Sequence, residues 1–313
     1  MIDLSWINPF IAFGVGILLA FNMRKVFARI QSRRGPLVWM PGAWHDINRT
    51  KVLQPLYDIL KLLSKKTILP ATATPFFTIG PIIALVFALA LTLFVPVAGL
   101  AFDYSFSLVI IFYLLIGVTM CIIIGGTASA SLFAAIGGVR EIELMLANEI
   151  PFILGTFALA ITYDTLSVQG MMGPNLLLNP FAAAAFFIAM LVKLHVRPFD
   201  IAEADSEIVG GLTTEYSGKL LGVLEITKVL MLFSLSALFV DLFLWVPKGW
   251  TLPGVASWAL FLAGAFVVSV AIGIVNALFA RFRIDQATKW LFTASTALGI
   301  IAIAWAVAWR FIL

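Results

Sequence analysis

The chain has 313 residues, of which 62% are hydrophobic and 12% charged, and its mean hydropathy is +1.07. These values lie outside the range of water-soluble domains and define a polytopic membrane protein. A net charge of +4 is the basic bias usual in the loops of such proteins and not a nucleic-acid footprint.

A helical span needs about 20 apolar residues to cross a hydrocarbon core about 30 Å thick. The sequence offers about eight such runs, at residues 6–28, 75–97, 106–135, 141–162, 177–197, 219–244, 255–280 and 289–311. Long apolar runs favour helices over a barrel, because each span must satisfy its own backbone. The expected fold is all-α, a single membrane domain over residues 1–313 with about eight transmembrane helices. The first run lacks a basic stretch ahead of it, and its positive charges, Arg24, Lys25, Arg29, Arg33 and Arg34, lie at its end and beyond. It reads as a retained helix and not as a cleaved signal.

The first loop, residues 29–74, holds an amphipathic stretch. Leu53, Leu56, Tyr57, Leu60 and Leu63 recur at helical spacing, with Gln54, Asp58, Lys61 and Lys65 on the other face. Pro55 suits a first helical turn. Such a helix is expected in the membrane plane, its lysines toward headgroups or a partner. Residues 39–44, rich in aromatic residues with Pro and Gly, read as irregular.

Charges inside the spans come next, since each costs at least about 2.5–3.5 kcal/mol at mid-bilayer. Glu149 lies about 13 Å along a helix from Arg140, with Pro151 two residues beyond to weaken the helix there. It is either an ion-path carboxylate or the partner in a hydrogen bond to a neighbouring helix. Glu225 and Lys228 share a face of the sixth span and are close enough to neutralise each other, as a static pair or as a relay. Lys193 and His195 close the fifth span, where both can snorkel; alternatively His195 carries protons beside Asp200. Asp241 is expected near the opposite surface, solvated.

Residues 198–218 form an acidic loop. Pro198 stops the fifth helix, Gly210-Gly211 makes a turn, and Asp200, Glu203, Asp205, Glu207 and Glu215 are five of the sixteen carboxylates in the chain. Eight crossings place both termini on one side. Residues 24–66 hold ten of the twenty basic residues, and Arg140, Arg197, Lys219, Arg281, Arg283 and Lys289 lie in loops of the same side. The positive-inside rule then makes the odd-numbered loops cytoplasmic and turns both termini outward. A short acidic loop among basic ones makes a polar entrance leading toward Glu149. Cys121 is the sole cysteine and His45 and His195 the only histidines. That inventory supplies neither a disulfide nor the four thiolates an iron–sulfur cluster usually takes, nor a recognisable metal-ligand spacing. Redox cofactors, where used, belong to other chains.

Arg197-Pro-Phe-Asp200, Glu203-Ala-Asp-Ser-Glu207 and Glu215-Tyr-Ser-Gly218 resemble the fingerprint of one complex I family, the H subunits of NADH-quinone oxidoreductase. The first loop is similar as well, through Arg33-Arg-Gly-Pro36 and Leu53-Gln-Pro-Leu-Tyr-Asp-Ile-Leu-Lys61. So are Gly138-Val-Arg140 through Glu149, and Arg281-Phe-Arg-Ile-Asp-Gln286, so that nearly the whole chain is covered. The resemblance implies a cell-membrane subunit, non-catalytic alone, that docks a peripheral arm carrying iron–sulfur clusters and neighbours antiporter-like subunits. It implies an ion path through Glu149, Asp200, Glu203, Asp205, Glu207 and Glu215, continued by Glu225 and Lys228. Arg33, Arg34, Arg140, Arg197, Arg281 and Arg283 would be the docking and counter-charge set. Quinone-reducing members usually carry a glutamate where this chain has Lys228. The Glu225/Lys228 combination looks more like the membrane-bound [NiFe]-hydrogenase branch, and residues 38–52 form an insertion. The favoured expectation is thus an ion-pumping (H+ or Na+) hydrogenase-type or sulfur-reducing complex, its NiFe and iron–sulfur centres in partner subunits; the alternative is the quinone-site subunit of a quinone-reducing complex. A stand-alone secondary transporter is the second alternative, and it predicts internal repeats that the two halves do not display.

Overall fold

The computed structural model describes residues 4–33, 35, 52–244 and 254–312. The segment 36–51, most of the insertion, and Arg34 and His45 lie outside the described residues. The chain is helical, with no β-strand among the described residues. In order run α1 (Asn8–Ile30), α2 (Gln54–Ser64), α3 (Pro75–Phe94), α4 (Ser107–Thr127), α5 (Leu132–Tyr163), the single turn α6 (Asn175–Leu178) and α7 (Pro180–Lys193). Another single turn, α8 (Asp205–Ile208), precedes α9 (Gly218–Phe239), α10 (Gly254–Leu278), α11 (Ile284–Trp290) and α12 (Thr296–Ile312). A π-helical turn, Val240–Leu244, extends α9, and another, Leu291–Ser295, joins α11 to α12.

Among the described residues, seven helices are long and apolar enough to cross a membrane, and α7, at 14 residues, is a shorter apolar eighth. The sequence places the end of α7 at Arg197 before Pro198, but the helix stops four residues earlier. The His195 N–H donates to Val192 O and the Val196 N–H to Leu191 O, 3.0 Å each, with His195 at φ +50°. This is a Schellman closure with histidine in the left-handed position that glycine usually takes. A second boundary moves the other way, since α5 begins at Leu132 and not near Glu141. Arg140 is therefore helical, and α5 continues through Pro151.

Small residues set the close approaches. A Cβ on Gly80 of α3 would lie 2.7 Å from the Gly125 Cα of α4, so these two helices meet backbone to backbone. The most enclosed span is α9, packed against α1, α2 and α3. The helix α2 lies against α1 and α9, but its apolar residues divide. Ile59 is buried and, with Leu56 and Leu63, packs on Ile17 and Val229, whereas Leu53, Tyr57 and Leu60 are exposed. The five-residue stripe read from the sequence is therefore split between the bundle and the outer surface.

Candidate functional site

Helix direction brings the ends of α1, α4, α7 and α10 to the same end of the bundle as the starts of α3, α5 and α9. At that end the loop 198–218 lies on bare backbone of its neighbours. A Cβ on Gly126 of α4 would lie 2.8 Å from Leu212 O, and one on Gly137 of α5 would lie 3.0 Å from Ala202 O. Tyr216 fixes the far end of the loop, its ring stacked 4.3 Å from that of Phe77 and its hydroxyl donating to Phe77 O at 3.2 Å. Burial raises the Tyr216 phenol above its ordinary value, so it stays a neutral donor.

Held this way, the loop acids meet cations from α5, α9, the turn that closes α7 and the α10–α11 connection. Arg281 donates to Asp200 at 2.6 Å, and Arg140 on α5 donates to Glu207 at 2.8 Å and to Ile201 O at 3.4 Å. Glu203 accepts from Lys228 of α9 at 2.6 Å, and its other oxygen, Oε1, stands 3.8 Å from His195 Nδ1. Nε2 of the same imidazole lies 3.0 Å from Glu141 of α5. Two turns further along α5, Glu149 accepts from Lys193 of α7 at 2.5 Å, and the Lys193 ammonium also sits 4.9 Å from the centre of the Phe152 ring. Beside Glu149, the Asn148 amide donates to Ala189 O at 3.1 Å and ties the same two helices.

A cavity of about 420 Å³ runs between these groups, with Glu141, Lys193, His195, Glu203, Lys228 and Asn276 on its wall. Arg24 and Lys228 also line a second cavity of about 380 Å³, between α1, α2 and α9, which Asp58 and Glu225 complete. Arg24 donates to Asp58 at 2.9 Å and so ties α1 to α2.

Several expectations change at this site. Lys228 has its close contact with Glu203, and Glu225 stands 3.9 Å away; the loop, and not the adjacent turn of α9, supplies the main counter-charge. His195 meets Glu141 and Glu203 and not Asp200, which pairs with Arg281. Lys193 does not snorkel to the surface; its side chain is 4% exposed and turned onto Glu149. Asp241, expected to be solvated, is fully buried in the π-turn, and neither oxygen has a hydrogen-bond partner among the described residues. The packing of α6 and α10 against that turn closes it off. Arg197 lies 5.7 Å from the centre of the Phe27 ring, whereas Arg33 and Arg283 are exposed. Glu215 is half-buried and makes no ion pair among the described residues. Asp205 opens α8, and its side chain lies outside the described set. Glu141 is the participant that the sequence reading passed over. Its position next to Arg140 made it look like a boundary residue, and the late start assigned to the helix hid its inward face.

Burial in the site lowers the affinity of His195 for a proton, but the facing Glu141 and Glu203 carboxylates outweigh it, and the imidazole is held up at about 9. Burial alone would raise Glu203; the Lys228 and His195 charges reverse this and hold it below its ordinary value. A folded-state value for His195 above the ordinary 6.5 means that its contribution to stability is complete below about pH 6.5 and is lost as pH rises through about 9. The loss is expected to reach about 3 kcal/mol. Denaturant unfolding in detergent across that interval checks this, and the His195→Gln variant should show a flatter profile. Equal slopes in the two proteins would remove His195 as the cause.

An all-helical membrane-integral protein with a ladder of ion pairs entering from one end is the class that fold and site define. The NADH dehydrogenase family matches residues 4–307, and the chain belongs to that family. The H subunit of the NADH-quinone oxidoreductase of Geobacillus sp. (strain WCH70) is 32% identical over 310 residues, covering 90% of this chain and 89% of that one. Its counterpart in Geobacillus thermodenitrificans (strain NG80-2) is 29% identical over 329 residues, covering 96% and 94%. Among solved structures, a chain of the membrane-bound sulfane sulfur reductase, an archaeal respiratory membrane complex, superimposes with a TM-score of 0.84 at 28% identity. That match covers 96% of this chain and 98% of the other. It agrees with the hydrogenase-like branch read from Glu225 and Lys228. The chain is thus a membrane subunit of a complex I-like respiratory complex.

Proposed function

We propose that this chain is the membrane anchor and coupling subunit of an ion-pumping complex of the membrane-bound hydrogenase or sulfur-reducing type. It docks a peripheral arm whose iron–sulfur clusters, and NiFe centre where present, reside in partner subunits. Movements of that arm change the proton or sodium occupancy of the carboxylates here, and antiporter-like subunits receive the result. The observation that carries this reading is the set of four ion pairs spaced between the loop and mid-helix: Asp200 with Arg281, Glu203 with Lys228, Glu141 with His195, and Glu149 with Lys193. Ion pairs this deep are costly as structural elements alone and are ordinarily tied to ion or proton movement.

In this reading the ladder opens to the cytoplasm, both termini face outward, and the host is the cell membrane. The exposed Arg33 and Arg283, with Arg34, would meet the peripheral arm, and the lysines of α2 would meet headgroups or that arm. The quinone-reducing alternative draws support from the names of the Geobacillus relatives and from the second cavity between α1, α2 and α9.

Purification of the tagged protein from its own membranes tests the reading. Copurification of cluster-bearing and antiporter-like chains is expected, with hydrogen evolution or sulfur reduction exceeding quinone reduction in the isolated complex. A chain that purifies alone and transports ions in liposomes would sink it; quinone reduction as the dominant activity would select the alternative.

A further inference from the structure

We propose that His195 is the proton-transfer bridge between the acidic loop and α5, taking a proton from the Glu203 side and delivering it to Glu141, with the Glu203 link open in the state described. The inference rests on the coupling reading above and names the step by which loop and helix exchange a proton.

Three observations converge on this residue. The first is geometric. Nε2 is within hydrogen-bond distance of Glu141 at 3.0 Å, whereas Nδ1 stands 3.8 Å from Glu203 Oε1, roughly 1 Å too far for a hydrogen bond. The second is a set of open acceptors. Glu203 Oε1 and Glu141 Oε2 are buried and have no hydrogen-bond partner among the described residues, so the loop oxygen facing the ring is unsatisfied and costly to leave so. The third is the backbone. His195 occupies the left-handed position of a Schellman closure, which glycine would fill without strain and a histidine fills at a cost. Helix termination alone does not call for an imidazole there.

The charges around the ring leave one proton to move. Lys228 from α9 is committed to Glu203, Lys193 from α7 to Glu149, and Arg24 from α1 to Asp58, while α10 contributes the neutral Asn276. Among the described residues, Glu141 on α5 therefore has the imidazole as its only close cationic partner. With the ring protonated, the Nε2–H bond breaks as a Glu141 O–H bond forms, leaving a neutral imidazole and a carboxylic acid. Glu141 then hands its proton onward. The ring turns its bare nitrogen toward Glu203 Oε1, and a proton carried there by Glu203 recharges it. One proton leaves the loop and one enters α5, with no change in oxidation state. A shift of the loop by about 1 Å brings Glu203 Oε1 into hydrogen-bond range of the ring nitrogen turned toward it, so the loop position gates the transfer.

The test uses the intact complex in proteoliposomes, reading ions pumped per electron transferred, with assembly checked by copurification. The His195→Lys variant keeps a cation against both glutamates but has no second nitrogen; His195→Gly fits the left-handed backbone and leaves space for added imidazole. Both variants, and Glu141→Gln, are expected to lose at least about tenfold in the ratio. Imidazole should restore pumping in His195→Gly and not in Glu141→Gln. Pumping that persists in His195→Lys or in imidazole-free His195→Gly overturns the bridge, as does a loss in His195→Gly that imidazole leaves untouched. Glu149→Gln and Glu203→Gln, measured in parallel, separate the two levels. If they lose pumping while the His195 variants keep it, the bridge fails and the coupling reading stands; if all variants pump normally, the coupling reading fails too.

Discussion

Replacing Glu149 by Gln is expected to destabilise the protein by about 3–5 kcal/mol and to lower the ions pumped per electron at least about tenfold. The two effects have different origins. The Glu149 side chain is 14% exposed and that of Lys193 4%, so the neutral amide leaves an ammonium enclosed with no countercharge, the condition under which breaking a pair is most costly. A second substitution separates stability from function. Adding Lys193→Met removes the orphaned charge and keeps an unbranched chain over Phe152, so the double variant should recover most of the lost stability. Pumping should not recover, because no ionisable carboxyl remains at position 149. Unfolding in detergent and pumping in proteoliposomes, measured on the wild type, the two single variants and the double variant, give the cycle. A double variant that recovers both stability and pumping would make Glu149 a structural partner and remove it from the path.

How much of this was legible in the sequence differs between residues for physical reasons. The number of long apolar runs, the helical class and the acidic loop all follow from composition and spacing, because a bilayer leaves few alternatives to a self-satisfied helix. Partners across helices do not follow from spacing. Glu225 and Lys228, three apart, do pair at 3.9 Å, but the lysine's closer partner is Glu203, a residue whose place depends on how the loop settles on Gly126 and Gly137. The end of α7 is not legible because Pro198 is a conspicuous stop signal, whereas a left-handed histidine is silent in the sequence. The burial of Asp241 escapes the sequence for a related reason. Counting rise along α9 gives depth but not enclosure, and enclosure comes from α6 and α10.

Gly211→Ala is expected to destabilise the site end of the bundle by at least about 2 kcal/mol, and to reduce pumping further than its small size suggests. Gly211 sits at φ +53°, following Gly210 at φ +85° and Val209 at φ +52°, a run of left-handed conformations that only glycine adopts freely. A methyl group there also lands on the Ala202 carbonyl oxygen, which is backbone and has no rotamer by which to move aside. The strain is thus delivered to the strand of loop between Asp200 and Glu203, the two acids paired with Arg281 and Lys228. Gly14→Ala is the matched control, since a Cβ there meets nothing within 4 Å and lies within a helix that favours alanine over glycine. Thermal unfolding should separate the two variants, with Gly14→Ala at or above the wild type and Gly211→Ala below it. Limited proteolysis should report new cleavage of Gly211→Ala within residues 198–218. Wild-type stability and an uncut loop in Gly211→Ala would mean that Ala202 and its neighbours yield easily. The loop would then be held by its ion pairs, and not by the backbone contacts on α4 and α5.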